Sequence, residues 1–376
     1  MPRSIPDPYG FQAGSRSSQG GNGARAPVGA CTPRDVTIRV ATLAQSSDGA
    51  ARHGAPGRSD HSPQVGSASS MNQRPSRQTV AFESEGAVLR GFLYRAARGD
   101  APYPIVIMAH GTSATISMVA DRYAEAFAEA GISALLYDHR NFGLSGGEPR
   151  QEINPWVQCR GFRDAITYAA TIDDHDPARI GLWGDSYSAG AVFLVAAADA
   201  RVRAVVGQCP VFGARPPDAE PTIEIFDLIR ETFQSGDVST DPDVTGPMPV
   251  VSPDQLGTPS LLQPIQAFRW FVEYGGRHGT GWLNRATRVI PSTPGPYSPF
   301  LCAAHVRAAC LMMVAPRDEM LHANPEVSRQ AFDLIPGEKE WYEIEGGHFG
   351  LLYHPSDLFD EASSIQADFL RSRLTA

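Results

Sequence analysis

From Thr79 to the C-terminus, short apolar runs alternate with segments of helical periodicity. The runs Pro104–Ala109 and Ile132–Tyr137 are almost entirely apolar, as are strands that are buried on both faces. Alternating strand–helix units imply a mostly parallel sheet with helices on both faces. The sequence therefore predicts an α/β fold for residues 78–376, built on an eight-stranded sheet.

Apolar spacing, together with Gly and Pro at element ends, places the individual elements. The predicted strands are Thr79–Glu83, Ala87–Tyr94, Pro104–Ala109, Ile132–Tyr137, Ile180–Trp183, Val202–Gln208, Ala309–Ala315 and Lys339–Ile344. The predicted helices are Asp121–Ala130, Pro155–Ile172, Ala189–Ala198, Pro325–Leu334 and Leu358–Leu374. Ser-Glu-Gly separates the first two strands and predicts a hairpin.

The alternation stops after the sixth strand. Residues 212–306 contain many prolines and two predicted helices, Thr222–Thr232 and Gln263–Tyr274. We interpret this segment as a helical cap that is inserted into the α/β domain.

Residues 1–77 differ in composition from the rest of the chain. They are rich in Gly, Ser, Ala, Pro and Arg, and aromatic residues are nearly absent. Such a segment cannot bury enough apolar area to offset the entropy lost on ordering it. We predict a disordered, low-complexity tail in which only Val36–Leu43 has strand character. Met71 reads as an alternative start of translation, and a genuine tail is the other explanation.

Charge and motif content disfavour several classes of function. With 32 Lys and Arg against 41 Asp and Glu, the net charge of −9 argues against nucleic acid or an anionic membrane as the main partner. No apolar run approaches the length of a membrane span, about 18 residues. Metal-ligand spacings and glycine-rich phosphate loops are absent, so we expect no metal and no nucleotide cofactor. No secretory signal is evident, and we expect a cytoplasmic protein.

The strongest functional signal is the stretch Gly184-Asp-Ser-Tyr-Ser188, between a predicted strand and a predicted helix. It matches the nucleophile motif Gly-x-Ser-x-Gly, except that Ser188 replaces the second glycine. The motif places its serine on a tight, strained turn, which requires small residues two positions before and after. Ser186 is therefore the candidate nucleophile, and the start of the following helix favours negative charge beside it.

A serine nucleophile needs a base, and the base needs a carboxylate that orients it. With an elbow of this kind, the acid follows the serine in the chain and the histidine follows the acid. Asp318 stands just past the strand Ala309–Ala315, where its carboxylate can meet a histidine. We predict Asp318 as the acid, with Glu319 as the second choice.

The base is expected after the last strand. There the chain reads Glu345-Gly-Gly-His-Phe-Gly350, and two glycines give a flexible backbone that can present His348 at the sheet edge. His354 is the competitor, but it precedes Pro355 at the start of the last helix. We predict His348 as the base.

Two backbone N–H groups are expected to stabilise negative charge on the substrate oxygen. One should come from Tyr187, the residue after the nucleophile. The other should come from the loop after the third strand, Ala109-His-Gly-Thr-Ser113, where Thr112 is the predicted donor and Gly111 allows close approach. Three nearby polar residues are interpreted as structural: His110, Asp138 and Arg140.

These residues resemble the α/β-hydrolase superfamily over about Thr79 to Leu374. Four stretches are similar to its polyketide-transferase and thiohydrolase-like branch, and the branch is itself similar to acetyl-xylan-esterase-like and X-Pro-peptidase-like hydrolases. The stretches are Tyr137-Asp-His-Arg-Asn-Phe-Gly143, Glu148-Pro-Arg-Gln-Glu152, Arg179-Ile-Gly-Leu-Trp-Gly-Asp-Ser-Tyr-Ser188 and Gly346-Gly-His-Phe349. The resemblance implies Ser186 as nucleophile, Asp318 as acid and His348 as base. Related chains usually carry Gly at the positions of Ser188 and Ala189, a departure that removes no catalytic group.

The sequence thus predicts a hydrolase of carboxylic esters or thioesters that forms an acyl-Ser186 intermediate. Acyl transfer to an alcohol or amine uses the same triad and stays open. A peptidase is less favoured because the chain lacks the extra domains of X-Pro-type enzymes, and a binding module is least favoured because all three triad members are present. We expect a small-molecule substrate with an apolar acyl group. Aromatic residues of the cap can form its core, line an acyl pocket, or do both: Phe226, Phe233, Phe268, Trp270, Phe271, Tyr274 and Trp282.

Overall fold

The computed structural model describes residues 76–236 and 241–375. All but the last two residues of the predicted tail lie outside this range, as do Val36–Leu43 and Met71. The described strands are β1 (Arg77–Ser84), β2 (Ala87–Tyr94), β3 (Tyr103–Ala109), β4 (Ser133–Tyr137), β5 (Glu152–Ile153), β6 (His175–Asp185), β7 (Val202–Gln208), β8 (Asp243–Met248), β9 (Ala286–Ile290), β10 (Ala309–Val314) and β11 (Lys339–Glu343). The described α-helices are α1 (Ala120–Glu129), α2 (Pro155–Ala169), α3 (Ser186–Ala198), α4 (Ile223–Ser235), α5 (Ile265–Gly275), α6 (Pro299–Cys302), α7 (Pro325–Leu334) and α8 (Asp357–Leu374).

A large sheet organises the described part of the chain. Eight strands lie in the order β1-β2-β4-β3-β6-β7-β10-β11. The pairs β1/β2 and β2/β4 are antiparallel, and every other pair of neighbours is parallel. This confirms the predicted α/β fold with a mostly parallel sheet. β1 and β2 form the predicted hairpin around Glu85 and Gly86, both of which have positive φ.

Helices cover both faces of the sheet. α1 and α8 contact each other and the central strands, and α2 and α3 form a second contacting pair. Residues Ile105–Ala109 of β3 are at most 1% exposed because helices pack on both sides of the strand. No helix in the described ranges is long and apolar enough to cross a membrane.

The sheet also determines where polar groups collect. β3, β6, β10 and β11 run parallel, so their carboxyl ends lie at one edge of the sheet. In open α/β sheets, ligands bind outside that edge. The loops that carry Thr112, Ser186, Asp318 and His348 all leave the sheet there.

The segment between β7 and β10 contains strands in addition to the helices predicted for the cap. Its two predicted helices are present as α4 and α5, but β8 and β9 also pair and form a second sheet with β5 in the order β5-β9-β8. The sequence analysis missed these strands because β5 has two residues and β8 contains Gly246 and Pro247, which weaken a strand pattern.

Candidate active site

The turn between β6 and α3 has the geometry of a nucleophile elbow. Ser186 is the first residue of α3 and has a φ of 54°, in the left-handed region that non-glycine residues rarely adopt. Gly184 must lack a side chain, because a Cβ there would lie 2.5 Å from the backbone of Ser188. The serine at position +2 is tolerated: Ser188 is 1% exposed, and its hydroxyl is hydrogen-bonded.

The structure brings Ser186, His348 and Asp318 together in the predicted order. The Ser186 Oγ lies 2.9 Å from Nε2 of His348. On the other side of the imidazole, Nδ1 lies 2.7 Å from Oδ2 of Asp318. A carboxylate can only accept, so Nδ1 carries the proton and Nε2 is free to accept the serine proton.

The two alternative residues lie elsewhere. Glu319 contacts the backbone of His348 rather than its ring: its Oε2 accepts a hydrogen bond from the His348 N–H at 2.9 Å. The ring of His354 packs edge-on against the ring of Phe359, with their centroids 4.6 Å apart. The backbone N–H of His354 donates to the hydroxyl of Tyr274. Neither side chain is bonded to the Ser186 hydroxyl or to the imidazole of His348.

The two residues predicted to supply the oxyanion donors, Thr112 and Tyr187, both lie near Ser186. Thr112 lines the same cavity as Ser186 and His348. Tyr187 is the second residue of α3, where backbone N–H groups have no partner within the helix. Gly111 allows the loop to approach the elbow, because a Cβ there would lie 3.0 Å from Cβ of Ser186.

A narrow, mostly apolar cavity opens onto Ser186. Residues of the insertion form part of its wall, namely Leu262 and, from α5, Trp270 and Phe271. Phe349, next to the histidine, stacks on Trp270 with ring centroids 5.4 Å apart. The cavity has a volume of about 20 Å³, which is room for about one water. The remaining lining residues are Gly111, Thr112, Ala114, Asp185, Met320, His348 and Leu352.

Comparisons with known proteins identify the family of the chain. A family model named Hydrolase_4 and described as serine aminopeptidase, S33, matches residues 100–245. Thiohydrolase aneE from Aspergillus aculeatus is 42% identical over 320 residues, which cover 81% of this chain and 95% of that protein. The chain belongs to the α/β-hydrolase superfamily. A further relative, polyketide transferase claH from Penicillium crustosum, is 28% identical over 316 residues, which cover 80% of this chain and 98% of that protein.

A solved structure shows the same fold. The α/β hydrolase GrgF from Penicillium sp. sh18 superposes with a TM-score of 0.59 at 24% identity. The match covers 80% of this chain and all of that one. The comparisons therefore place the chain among α/β hydrolases whose curated relatives include a thiohydrolase and a polyketide transferase.

The charged groups around His348 change its pKa. Burial lowers the pKa of His348. The Asp318 carboxylate and its hydrogen bond raise this pKa, as do the nearby Glu319 and Asp185. Together they outweigh burial, so the pKa lies above the usual 6.5. The imidazolium is therefore stabilised by the carboxylates around it.

Asp185 is a site residue that the sequence analysis missed. It occupies the variable position before the nucleophile and lines the cavity, and its Oδ1 accepts a hydrogen bond from the Gly111 N–H at 2.9 Å. Burial raises the pKa of Asp185 to about 7, although His348 and the Gly111 hydrogen bond lower it. A carboxylate directly before the predicted nucleophile was the signal that could have identified it.

One group of potential metal ligands lies in the described ranges. Ligand atoms of Cys209, Asp318 and His348 are within 4.8 Å of one another. However, burial and the neighbouring carboxylates raise the pKa of the Cys209 thiol well above its ordinary value, so it offers no thiolate. With Nδ1 of His348 already bonded to Asp318, this group is suited to orienting an imidazole rather than to holding a metal.

Proposed function

We propose that the protein is a serine hydrolase that cleaves carboxylic esters or thioesters through an acyl-Ser186 intermediate. The observation that carries this proposal is the continuous hydrogen-bonded line from Ser186 Oγ through the imidazole to Asp318, with distances of 2.9 and 2.7 Å. These distances lie within the range for general-base catalysis.

In the first step, Ser186 Oγ attacks the acyl carbon while its proton moves to Nε2 of His348. The carbonyl oxygen becomes an oxyanion, which the N–H groups of Tyr187 and Thr112 would stabilise. The oxyanion then re-forms the carbonyl, and the alkoxide or thiolate leaves with the proton from His348. In the second step, His348 takes a proton from water while the water oxygen attacks the acyl carbon. The bond from that carbon to Ser186 Oγ then breaks, Ser186 Oγ takes the proton back from His348, and the free acid leaves.

The cavity supports an apolar acyl group as substrate. Leu262, Trp270 and Phe271 of the insertion face Ser186 together with Met320 and Phe349. No lysine or arginine is among the cavity-lining residues of the described chain. The similarity to a thiohydrolase supports thioesters as one substrate class.

Acyl transfer is the second candidate. The similarity to a polyketide transferase and the largely apolar wall, which limits access of water to an acyl-Ser186, favour it. The product separates the two reactions: hydrolysis releases the free acid, and transfer releases a new ester or amide of an added alcohol or amine.

Covalent labelling tests the proposal most directly. A fluorophosphonate should add its phosphonyl group to the native protein, and peptide mass spectrometry should locate the adduct on Ser186 because His348 activates that hydroxyl. The Ser186→Ala variant is the control and should not be labelled. An unlabelled native protein, or an adduct on another serine, would rule out the proposed nucleophile.

We expect the activity to rise with pH. The base must be neutral, and the pKa of His348 lies above 6.5, so the increase in kcat/KM should have its midpoint above pH 6.5. Asp185, with a pKa of about 7, titrates in the same window, so the midpoint belongs to the coupled groups.

The variant Glu319→Gln should move that midpoint to lower pH, because the Glu319 carboxylate helps to raise the pKa of His348. Glu345→Gln is the matched control, since this glutamate is exposed and pairs with Arg317. A flat profile from about pH 5 to about pH 8 would exclude His348 as the base.

A further inference from the structure

The loop of residues 110–112 is attached to the nucleophile elbow at two points. Oδ1 of Asp185 accepts a hydrogen bond from the Gly111 N–H at 2.9 Å. The Ser188 hydroxyl donates to the carbonyl oxygen of His110 at 2.5 Å. The two attached groups, the His110 carbonyl and the Gly111 N–H, are consecutive along the loop and directly precede Thr112. Asp185 stands one residue before Ser186, and Ser188 stands two residues after it.

His139 fixes the second attachment. The Ser188 hydroxyl has one proton and donates it in the hydrogen bond to the His110 carbonyl. The Ser188 oxygen therefore accepts a hydrogen bond from Nε2–H of His139 at 2.8 Å. Burial and the neighbouring His110 lower the pKa of His139 well below its ordinary value, so its imidazole is neutral. The hydroxyl therefore has both a fixed donor and a fixed acceptor and cannot rotate freely.

Close packing makes the loop sensitive to these contacts. A Cβ at Gly111 would lie 2.7 Å from Oδ2 of Asp185. Asp185 and Ser188 are 7% and 1% exposed, so solvent does not compete for their hydrogen bonds. Loss of either side chain leaves a buried backbone group without its partner, and the loop must shift or accept a water.

We propose that Asp185 and Ser188 are positioning residues that hold the backbone N–H of Thr112 in line with the oxyanion formed at Ser186. The inference rests on the proposed function, because it assigns these residues to the same reaction. An oxyanion donor acts on the transition state rather than on the bound substrate. Misplacing it by about 1 Å can cost about 10²-fold in rate.

The test compares kcat and KM of four single variants on one ester substrate. Asp185→Ala and Ser188→Ala should each lower kcat by about 10- to 100-fold while KM changes less than about 3-fold. Asp185→Asn keeps an oxygen acceptor for the Gly111 N–H and should recover most of the loss. Ser133→Ala is the matched control: this buried serine on β4 also binds a backbone group, the Ala96 N–H, but it is not bonded to the elbow or to the loop.

Each outcome decides the proposal. Unchanged kcat in Asp185→Ala and Ser188→Ala overturns it, as does an equal loss in Ser133→Ala. An Asp185→Asn variant as slow as Asp185→Ala would show that charge rather than positioning matters, and it also overturns the proposal. If Asp185→Ala does not fold, Ser188→Ala, which removes only a hydroxyl, supplies the comparison. Failure of the proposed function is distinct, because Ser186→Ala would then keep its turnover.

Discussion

We expect Ser186→Ala to lower kcat by about 10⁴-fold or more on any ester or thioester that the native protein cleaves. The variant lacks the hydroxyl on which the proposed acyl-enzyme forms, and removal of a triad nucleophile has effects of this size or larger. Alanine keeps the Cβ of Ser186, so the backbone strain at a φ of 54° is unchanged and the fold should be preserved.

The matched control is Ser363→Ala, which removes a buried hydroxyl from α8, where it donates to the Asp360 carbonyl. Its kcat should stay within about 2-fold of the native value, because surface and distant changes leave a separate site intact. Steady-state kinetics and thermal unfolding of both variants make the comparison. A Ser186→Ala protein that retains native turnover would show that another group does the chemistry.

We expect Asp318→Asn to lower kcat by about 10⁴-fold, as the same change does in the serine-protease triad. An amide in place of the carboxylate no longer stabilises the imidazolium and can hold the ring in the wrong tautomer. The side chain of Asp318 is 1% exposed, so water cannot take over its role. The volume of the side chain is nearly unchanged, and the protein should remain folded.

Glu319→Gln is the control for Asp318→Asn, because the neighbouring carboxylate contacts the backbone N–H of His348 rather than its ring. We expect its kcat at the plateau of the pH profile to stay within about 5-fold of native, since that hydrogen bond can be accepted by an amide oxygen. If Glu319→Gln is the slower of the two variants, Glu319 rather than Asp318 is the acid.

Local sequence patterns predicted most of the main sheet. Strands buried on both faces read as continuous apolar runs, and the helices between them have recognisable ends. The four strands that carry the site, β3, β6, β10 and β11, could therefore be placed. The candidate side chains could be named for the same reason, because each follows the end of a predicted strand. The small sheet of β5, β8 and β9 could not, since its short strands are defined by pairing across distant parts of the chain.

The choice between neighbours also needed three-dimensional contacts. Asp318 and Glu319 are adjacent in the chain, so the sequence cannot show which of them meets the imidazole. The structure distinguishes them, because Asp318 Oδ2 lies 2.7 Å from Nδ1 of His348. Likewise, nothing in the sequence indicates that Asp185 bonds to Gly111, which lies 74 positions away. The pattern of apolar and polar residues along a strand is local in the sequence, whereas these contacts depend on how separate loops meet.

Part of the cavity wall comes from a different part of the chain than the hydrogen-bonded groups. Ser186, Asp318 and His348 leave the ends of main-sheet strands, whereas Trp270 and Phe271 belong to the segment between β7 and β10. Under the proposed function, substitutions in that segment can change which acyl group is accepted during evolution, while the groups that transfer the proton stay the same. Divergence among relatives should be read separately for the two parts, because conserved strand ends report shared chemistry and a variable insertion reports a change of substrate.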